Sequence, residues 1–279
     1  MTPVRLGAVG YLNARPLVFG LDQSPRFTLR YDVPSECARL LHAGDIDLGL
    51  VPSIEYLQDD SYRIVPDLAI TSCGPVTSVA LYTRRPMDEV RSIVMDTSSR
   101  TSVALVRVLC ARLFKIQPVI EAQQPDLDSM LERGDAALVI GDNALLWDHR
   151  HVRSRAAVAH ADVMGRDAGP IEKIDLGSAW TAMTGLPFVW AFWTGRAGAL
   201  APADVAALEA ARDAGVAHSD DVARDYFRDA PQHHDVGVRY LRENIKYYLG
   251  DRERAALELF YRYAVESGVK PAGRPLRFY

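Results

Sequence analysis

One local pattern runs through the first two-thirds of the chain: a short apolar run, a polar turn, then residues at helical spacing. Residues Val4 to Val9 are the first such run, of strand length and character. It stops at Gly10-Tyr11 and places Asn13, Arg15 and Pro16 at the mouth of a helix over 15–20. Asparagine caps helices well, and proline is favoured in a first helical turn. Residues 27–33 read as a second strand. Ser35 then caps a helix carrying Cys37, Leu40 and Leu41 that ends near Gly44. Residues 48–51 form a third strand, Pro52-Ser53-Ile54-Glu55 opens another helix, and 62–70 and 78–83 add strands.

The pattern restarts after Arg84-Arg85-Pro86. A strand over 93–95 is followed by the polar turn Asp96-Thr97-Ser98-Ser99-Arg100-Thr101 and a helix with Val103, Leu105, Val106, Leu109 and Leu113 on its inner side. A strand over 119–122, a helix over 127–133 and a strand over 136–140 come next, and Gly141-Asp142-Asn143 leads into a further helix. Such alternation predicts parallel sheets covered on both faces. The very apolar stretch 186–193 returns the chain to strand. The remainder reads as helices over 203–217, 221–228, 236–249 and 251–267, the last two joined by Gly250 as a C-cap and Asp251 as an N-cap.

Two similar sheets and a late return strand point to an α/β protein of two lobes joined by two connections. The expected division is residues 1–83 with 188–279 as the first lobe, C-terminal helices included, and 84–187 as the second. Tyr82-Thr83 and residues 188–190 are the expected hinges. Such a molecule closes on a ligand held in the cleft between its lobes, and open α/β sheets bind ligands at the carboxyl ends of their strands. The chain has 279 residues, enough for one large domain or two lobes. It is 48% hydrophobic and 24% charged with a net charge of -4, which offers no whole-chain attraction for nucleic acid. The three cysteines, Cys37, Cys73 and Cys110, form no C-x-x-C and read as small buried residues of a reduced compartment. No apolar run is long enough to span a bilayer and no signal peptide is visible, so a cytoplasmic location is expected, with no membrane partner.

The polar clusters sit at expected strand ends. In the first lobe they are Asn13 with Arg15, Ser53, and Thr77 with Ser78. In the second they are Thr97, Ser98, Ser99, Arg100 and Thr101, and then Asp142 with Asn143. The 97–101 turn combines hydroxyls, helix amino-end amides and one guanidinium, the groups a carboxylate or phosphate needs. It contains no glycine and lacks the spacing of a phosphate-cradling loop; the plainer alternative is a helix cap by one Ser or Thr. His233-His234 are adjacent and point apart on a helix, and His149 and His151 bracket Arg150 in a polar stretch, so solvated or core histidines are expected and no metal. The run Phe188, Trp190, Phe192, Trp193 alternates in part and reads as a buried strand. These candidates include no histidine, no cysteine and no close carboxylate pair. They favour a binding protein, or an enzyme whose reaction needs little help from side-chain acids and bases.

Taken together, several segments resemble chorismate dehydratases of the futalosine route to menaquinone: 9–16 (Val-Gly-Tyr-Leu-Asn-Ala-Arg-Pro), 49–56 (Gly-Leu-Val-Pro-Ser-Ile-Glu-Tyr), 78–82, 96–102, 184–189 and 247–250. The resemblance implies a type II periplasmic-binding-protein-like fold in a cytoplasmic lyase. It implies loss of water from chorismate, giving 3-[(1-carboxyvinyl)oxy]benzoate, with no metal or organic cofactor and with a small dicarboxylate as the partner; a homodimer is compatible with it. A sister enzyme acting on cyclic de-hypoxanthine futalosine carries a catalytic His-Glu where this chain has Gly141-Asp142. On this reading Asn13 and Ser78 participate directly. Ser99, Arg100 and Thr101 meet one substrate carboxylate, and the loops around Asn13 and Ser53 meet the other. Neither Asn13 nor Ser78 is a general base near neutral pH, which leaves a substrate carboxylate to take the ring proton. The rivals are that sister enzyme, a non-catalytic small-anion-binding protein, which calls for a secretion signal or lipid anchor, and the effector domain of a regulator, which calls for a basic helix-turn-helix.

Overall fold

A computed structural model describes residues 2–147 and 170–279. The expected histidines 149 and 151 lie outside the described residues. Two five-stranded sheets form the frame. In the first, β1 (Val4–Val9) lies between β2 (Phe27–Asp32) and β3 (Leu48–Pro52), all parallel. The first helix, α1 (Pro34–Ala43), connects β2 to β3. Next to β3 runs β10 (Phe188–Arg196), antiparallel to it and to β4 (Tyr62–Ser72). The second sheet has the same plan. Strand β6 (Ser92–Asp96) lies between β7 (Val119–Gln123) and β8 (Ala136–Ile140), all parallel, and β5 (Val79–Thr83) is antiparallel to β8 and to β9 (Glu172–Asp175).

Burial explains the sequences. β3, β5 and β8 are buried at every residue, as strands covered on both faces require, whereas the outer strands β2 and β7 are largely open to solvent. β10 is buried from Phe188 to Gly195, which makes the aromatic run a core strand as expected. The outer side of β4 is paired by the chain terminus, where Ile64 N–H donates to the Arg277 carbonyl at 2.9 Å and Tyr279 N–H to the Ile64 carbonyl at 3.1 Å. That pairing removes an exposed sheet edge.

Several expectations are corrected. Residues 79–83 pair within the second sheet, so the chain crosses between sheets at 73–78, earlier than the expected boundary at 83, and Tyr82-Thr83 are internal to a sheet. The return crossing is at 185–187, just ahead of β10. Residues 12–18 form a 3-10 turn with Pro16 inside it instead of an α-helix, and 53–58 form another. Leu113 is exposed, and so is Cys73, although Cys37 and Cys110 are buried as expected.

The expected helix over 236–249 breaks. An α-turn at His234–Arg239 passes into a π-turn at Tyr240–Asn244, and the chain then extends. Ile245, Tyr247 and Leu249 are buried while Lys246 and Tyr248 are exposed, a period of two that belongs to extended chain, and Lys246 bridges Thr71 of β4. Gly250 therefore caps no preceding helix; it is the extended residue before the helix Asp251–Glu266. No helix among the described residues is long and apolar enough to cross a membrane.

Candidate active site

The carboxyl ends of β1, β3, β6 and β8 converge from the two sheets on a narrow cavity. Its polar wall is Tyr11, Asn13, Ser78, Ser99 and Ser102, and its apolar floor includes Val9, Ile70 and Trp190. Its volume is about 40 Å3. The Trp190 indole is fixed by donating to Ser72 Oγ at 3.0 Å.

Each polar group is held by its own element. Asn13 sits in the turn after β1, and its Oδ1 is buried without a partner among the described residues. Ser78 ends the crossing segment. The turn before it is strained: Thr77 has φ 61, unusual for a β-branched residue. The Asp175 carboxylate holds that turn by accepting from the amides of Val76 at 3.1 Å and Thr77 at 2.6 Å, and it also caps the helix Leu176–Thr184. Lys173 Nζ donates to the Thr77 carbonyl at 2.9 Å. The Ser78 hydroxyl then lies 2.6 Å from the hydroxyl of the fully buried Tyr240. Ser99 caps the helix α2 (Arg100–Leu109) and aims its first turn at the cavity. Gly141, at φ 66, passes so close to Tyr11 that a Cβ there would lie 2.9 Å from the ring.

Residues 4–266 match the family model described as menaquinone biosynthesis. The chain belongs to the menaquinone biosynthesis family. A curated Thermus thermophilus relative named chorismate dehydratase is 32% identical over 262 residues, covering 93% of this chain and 94% of that one. Solved structures share the fold at much lower identity. A structural-genomics target from Archaeoglobus fulgidus superposes with a TM-score of 0.68 at 14% identity, covering 96% of this chain and 99% of that one. A Candida albicans gene product described as exhibiting the generic periplasmic binding protein structural fold gives 0.59 at 12% identity over 98% and 92%. The periplasmic aliphatic sulphonate binding protein of Escherichia coli gives 0.57 at 14% over 100% and 94%. The expected two-lobed, periplasmic-binding-protein-like α/β architecture is the observed one.

Within this family member, the expected site residues divide. Asn13, Ser78 and Ser99 line the cavity. The others do not, each for a visible reason. Thr97 and Asn143 are exposed. Ser98 folds back, donating from N–H and Oγ to Asp96 Oδ1 at 2.9 and 2.6 Å. Arg100 is drawn away by the buried Glu55 carboxylate, 2.7 Å from its Nη1. Thr101 and Ser53 are buried: Thr101 Oγ1 accepts from Ile54 N–H at 3.1 Å, which joins the two halves, and Ser53 Oγ donates to the Val189 carbonyl at 2.8 Å within the first. Thr77 spends its hydroxyl on the Val76 carbonyl. The Arg15 guanidinium lies over the rings of Tyr31 and Tyr226, 4.2 and 5.1 Å from their centroids. Asp142 accepts from Leu12 N–H at 3.3 Å and from the Tyr226 hydroxyl, linking the second sheet to the first turn and the C-terminal helices.

The cavity is thus a neutral, hydrogen-bonding site facing the amino end of a helix, a setting that favours anions. Sequence reasoning missed Tyr11 and Ser102 in the lining and Tyr240 behind it, while the aromatic run was allowed to wall a pocket and Trp190 does so. Tyr11 directly follows β1 and Trp190 belongs to the aromatic run, so both had a local signal. Tyr240 had none, lying inside an expected helix. Beneath the 97–101 turn, burial pushes the Asp96 carboxyl up, opposed by its bonds from Ser98, and its Oδ2 has no partner among the described residues. No group of three or more His, Cys, Asp or Glu among the described residues is placed to hold a metal ion.

Proposed function

We propose that this chain is a cytoplasmic hydro-lyase, acting alone or as a homodimer, that converts chorismate to 3-[(1-carboxyvinyl)oxy]benzoate and water. The observation that carries the reading is the 32% identity to the Thermus thermophilus chorismate dehydratase over nearly the whole of both chains. The site supports it: a reaction that creates a benzene ring needs orientation more than strong acids or bases, and the cavity offers hydroxyls and a carboxamide. A glycine at 141 removes the histidine on which the sister enzyme depends.

In this mechanism the cleft opens to admit the dianion and closes over it. The first amides of α2 with Ser99 and Ser102 receive one carboxylate. Asn13 and Ser78 hold the departing hydroxyl. The second carboxylate of the substrate takes the neighbouring ring proton, the carbon–oxygen electron pair leaves with oxygen, and that proton completes the water. Arg100 and Thr101 serve closure in place of direct binding.

Incubating purified protein with chorismate alone should yield the aromatic product, read by ultraviolet absorbance and mass. Asn13→Ala and Ser78→Ala should each lower kcat by about 100-fold or more with folding intact. Chorismate surviving the wild-type incubation would reject the activity, and near-normal kcat in both variants would reject the residue assignment.

A further inference from the structure

We propose that Tyr240 is a positioning residue that turns the Ser78 hydroxyl proton toward the departing hydroxyl of the substrate. The inference rests on the dehydratase reading above and assigns a role to a residue outside the cavity lining.

A serine hydroxyl has one proton to give and two lone pairs to accept with. At 2.6 Å, Ser78 and Tyr240 share one proton between their oxygens, and either could supply it. If Ser78 supplies it, only lone pairs face the cavity, and these repel an oxygen gathering negative charge. If Tyr240 supplies it, the serine proton is free for the substrate.

Acidity decides between these arrangements. A phenol is a far stronger acid than an aliphatic hydroxyl, so in this pair the tyrosine is the better donor and the serine oxygen the better acceptor. Tyr240 is fully buried, and Ser78 Oγ is the one hydrogen-bond partner of its hydroxyl among the described residues. Burial also raises the Tyr240 pKa, which keeps the phenol protonated and able to donate. Ser78 has no other side-chain partner among the described residues, so its own proton points into the cavity.

The resulting order is Tyr240 O–H to Ser78 Oγ and Ser78 O–H to the leaving oxygen. Chains of this kind polarise one another. Ser78 gives a hydrogen bond and keeps its proton, so the water still takes its second proton from the ring carbon by way of the substrate carboxylate. The π-turn Tyr240–Asn244 carries the tyrosine to this position at the end of the preceding helix; such turns recur at functional sites.

The test is Tyr240→Phe in the full chain, alone and combined with Ser78→Ala. Alone it should lower kcat about 10- to 100-fold with KM changed less than about threefold. On the Ser78→Ala background it should lower kcat no further, because the relay is already cut. A kcat within twofold of wild type, or the same loss on both backgrounds, would overturn the proposal. A second readout needs no turnover: the buried Tyr240 hydroxyl proton should give a slowly exchanging resonance in the wild-type protein, with a cross-peak to the Ser78 β-protons, that is lost in Tyr240→Phe, and its absence from the wild type would also overturn the proposal. If wild-type protein leaves chorismate intact, the dehydratase reading fails, while this resonance still decides the relay.

Discussion

Glu55 controls the direction of Arg100. Its side chain is 1% exposed, and a carboxylate taken that far from water needs partners. His42 Nε2 lies 2.8 Å away and Arg100 Nη1 2.7 Å away, and the other ring nitrogen of His42 meets the Tyr62 hydroxyl at 2.6 Å. Burial pushes the Glu55 carboxyl up, yet the His42 hydrogen bond and the charges of Arg100, Lys270 and His42 bring it net below its ordinary value of 4.5. A carboxyl lowered by folding stabilises the fold above that ordinary value, and the contribution disappears as pH falls through the folded value. Glu55→Gln should therefore cost about 2 kcal/mol at neutral pH, discounted because Arg100 is half exposed. Urea denaturation should show the cost shrinking near pH 3, and an equal cost at both pH values would contradict the assignment.

At the scale of elements, the loop leaving β8 shows how backbone conformation and packing combine. Gly141 has φ 66 and lies against the Tyr11 ring, whereas Gly185, at φ 71 after the helix Leu176–Thr184, faces open space. Gly185→Ala should cost about 1 kcal/mol from backbone strain alone. Gly141→Ala should cost more, because Tyr11 must also move, and it should lower Tm by about 4–8 °C. Calorimetry on the two variants separates the terms; equal losses would mean that the Tyr11 contact is not rigid. The same scale explains the misread helix over 236–249. Helical and extended periods overlap there, and Ile245, Tyr247 and Leu249 follow the extended one because β4 offers a buried face beside them.

For the whole molecule, the links between the two sheets describe a closed state. Ser35 N–H donates to the Ser98 carbonyl at 2.9 Å, Ile54 N–H to Thr101 Oγ1 at 3.1 Å, and Asp142 holds Leu12 and Tyr226. The cavity lies between them. Asp142→Ala removes a latch on one side of it. X-ray scattering of the unliganded variant should give a radius of gyration above the about 19 Å typical of a compact chain of 279 residues. An unchanged radius would show that the other links suffice to hold the cleft shut.

The alternation of strands, caps and helices was legible in the sequence because both periodicities are local and each element carries its own punctuation. The 9–16, 78–82 and 96–102 segments likewise marked the places where the cavity lies, and Asn13, Ser78 and Ser99, one from each, line it. Tertiary structure alone decided the aim of the remaining side chains. Arg100 turns away because Glu55, 45 residues earlier, is buried without water, and Ser78 is oriented by Tyr240 from 162 residues later. β5 joins the second sheet because β8 and β9 flank it. A buried polar group takes whichever partner folding brings within reach, and that choice is made by contacts no local pattern contains.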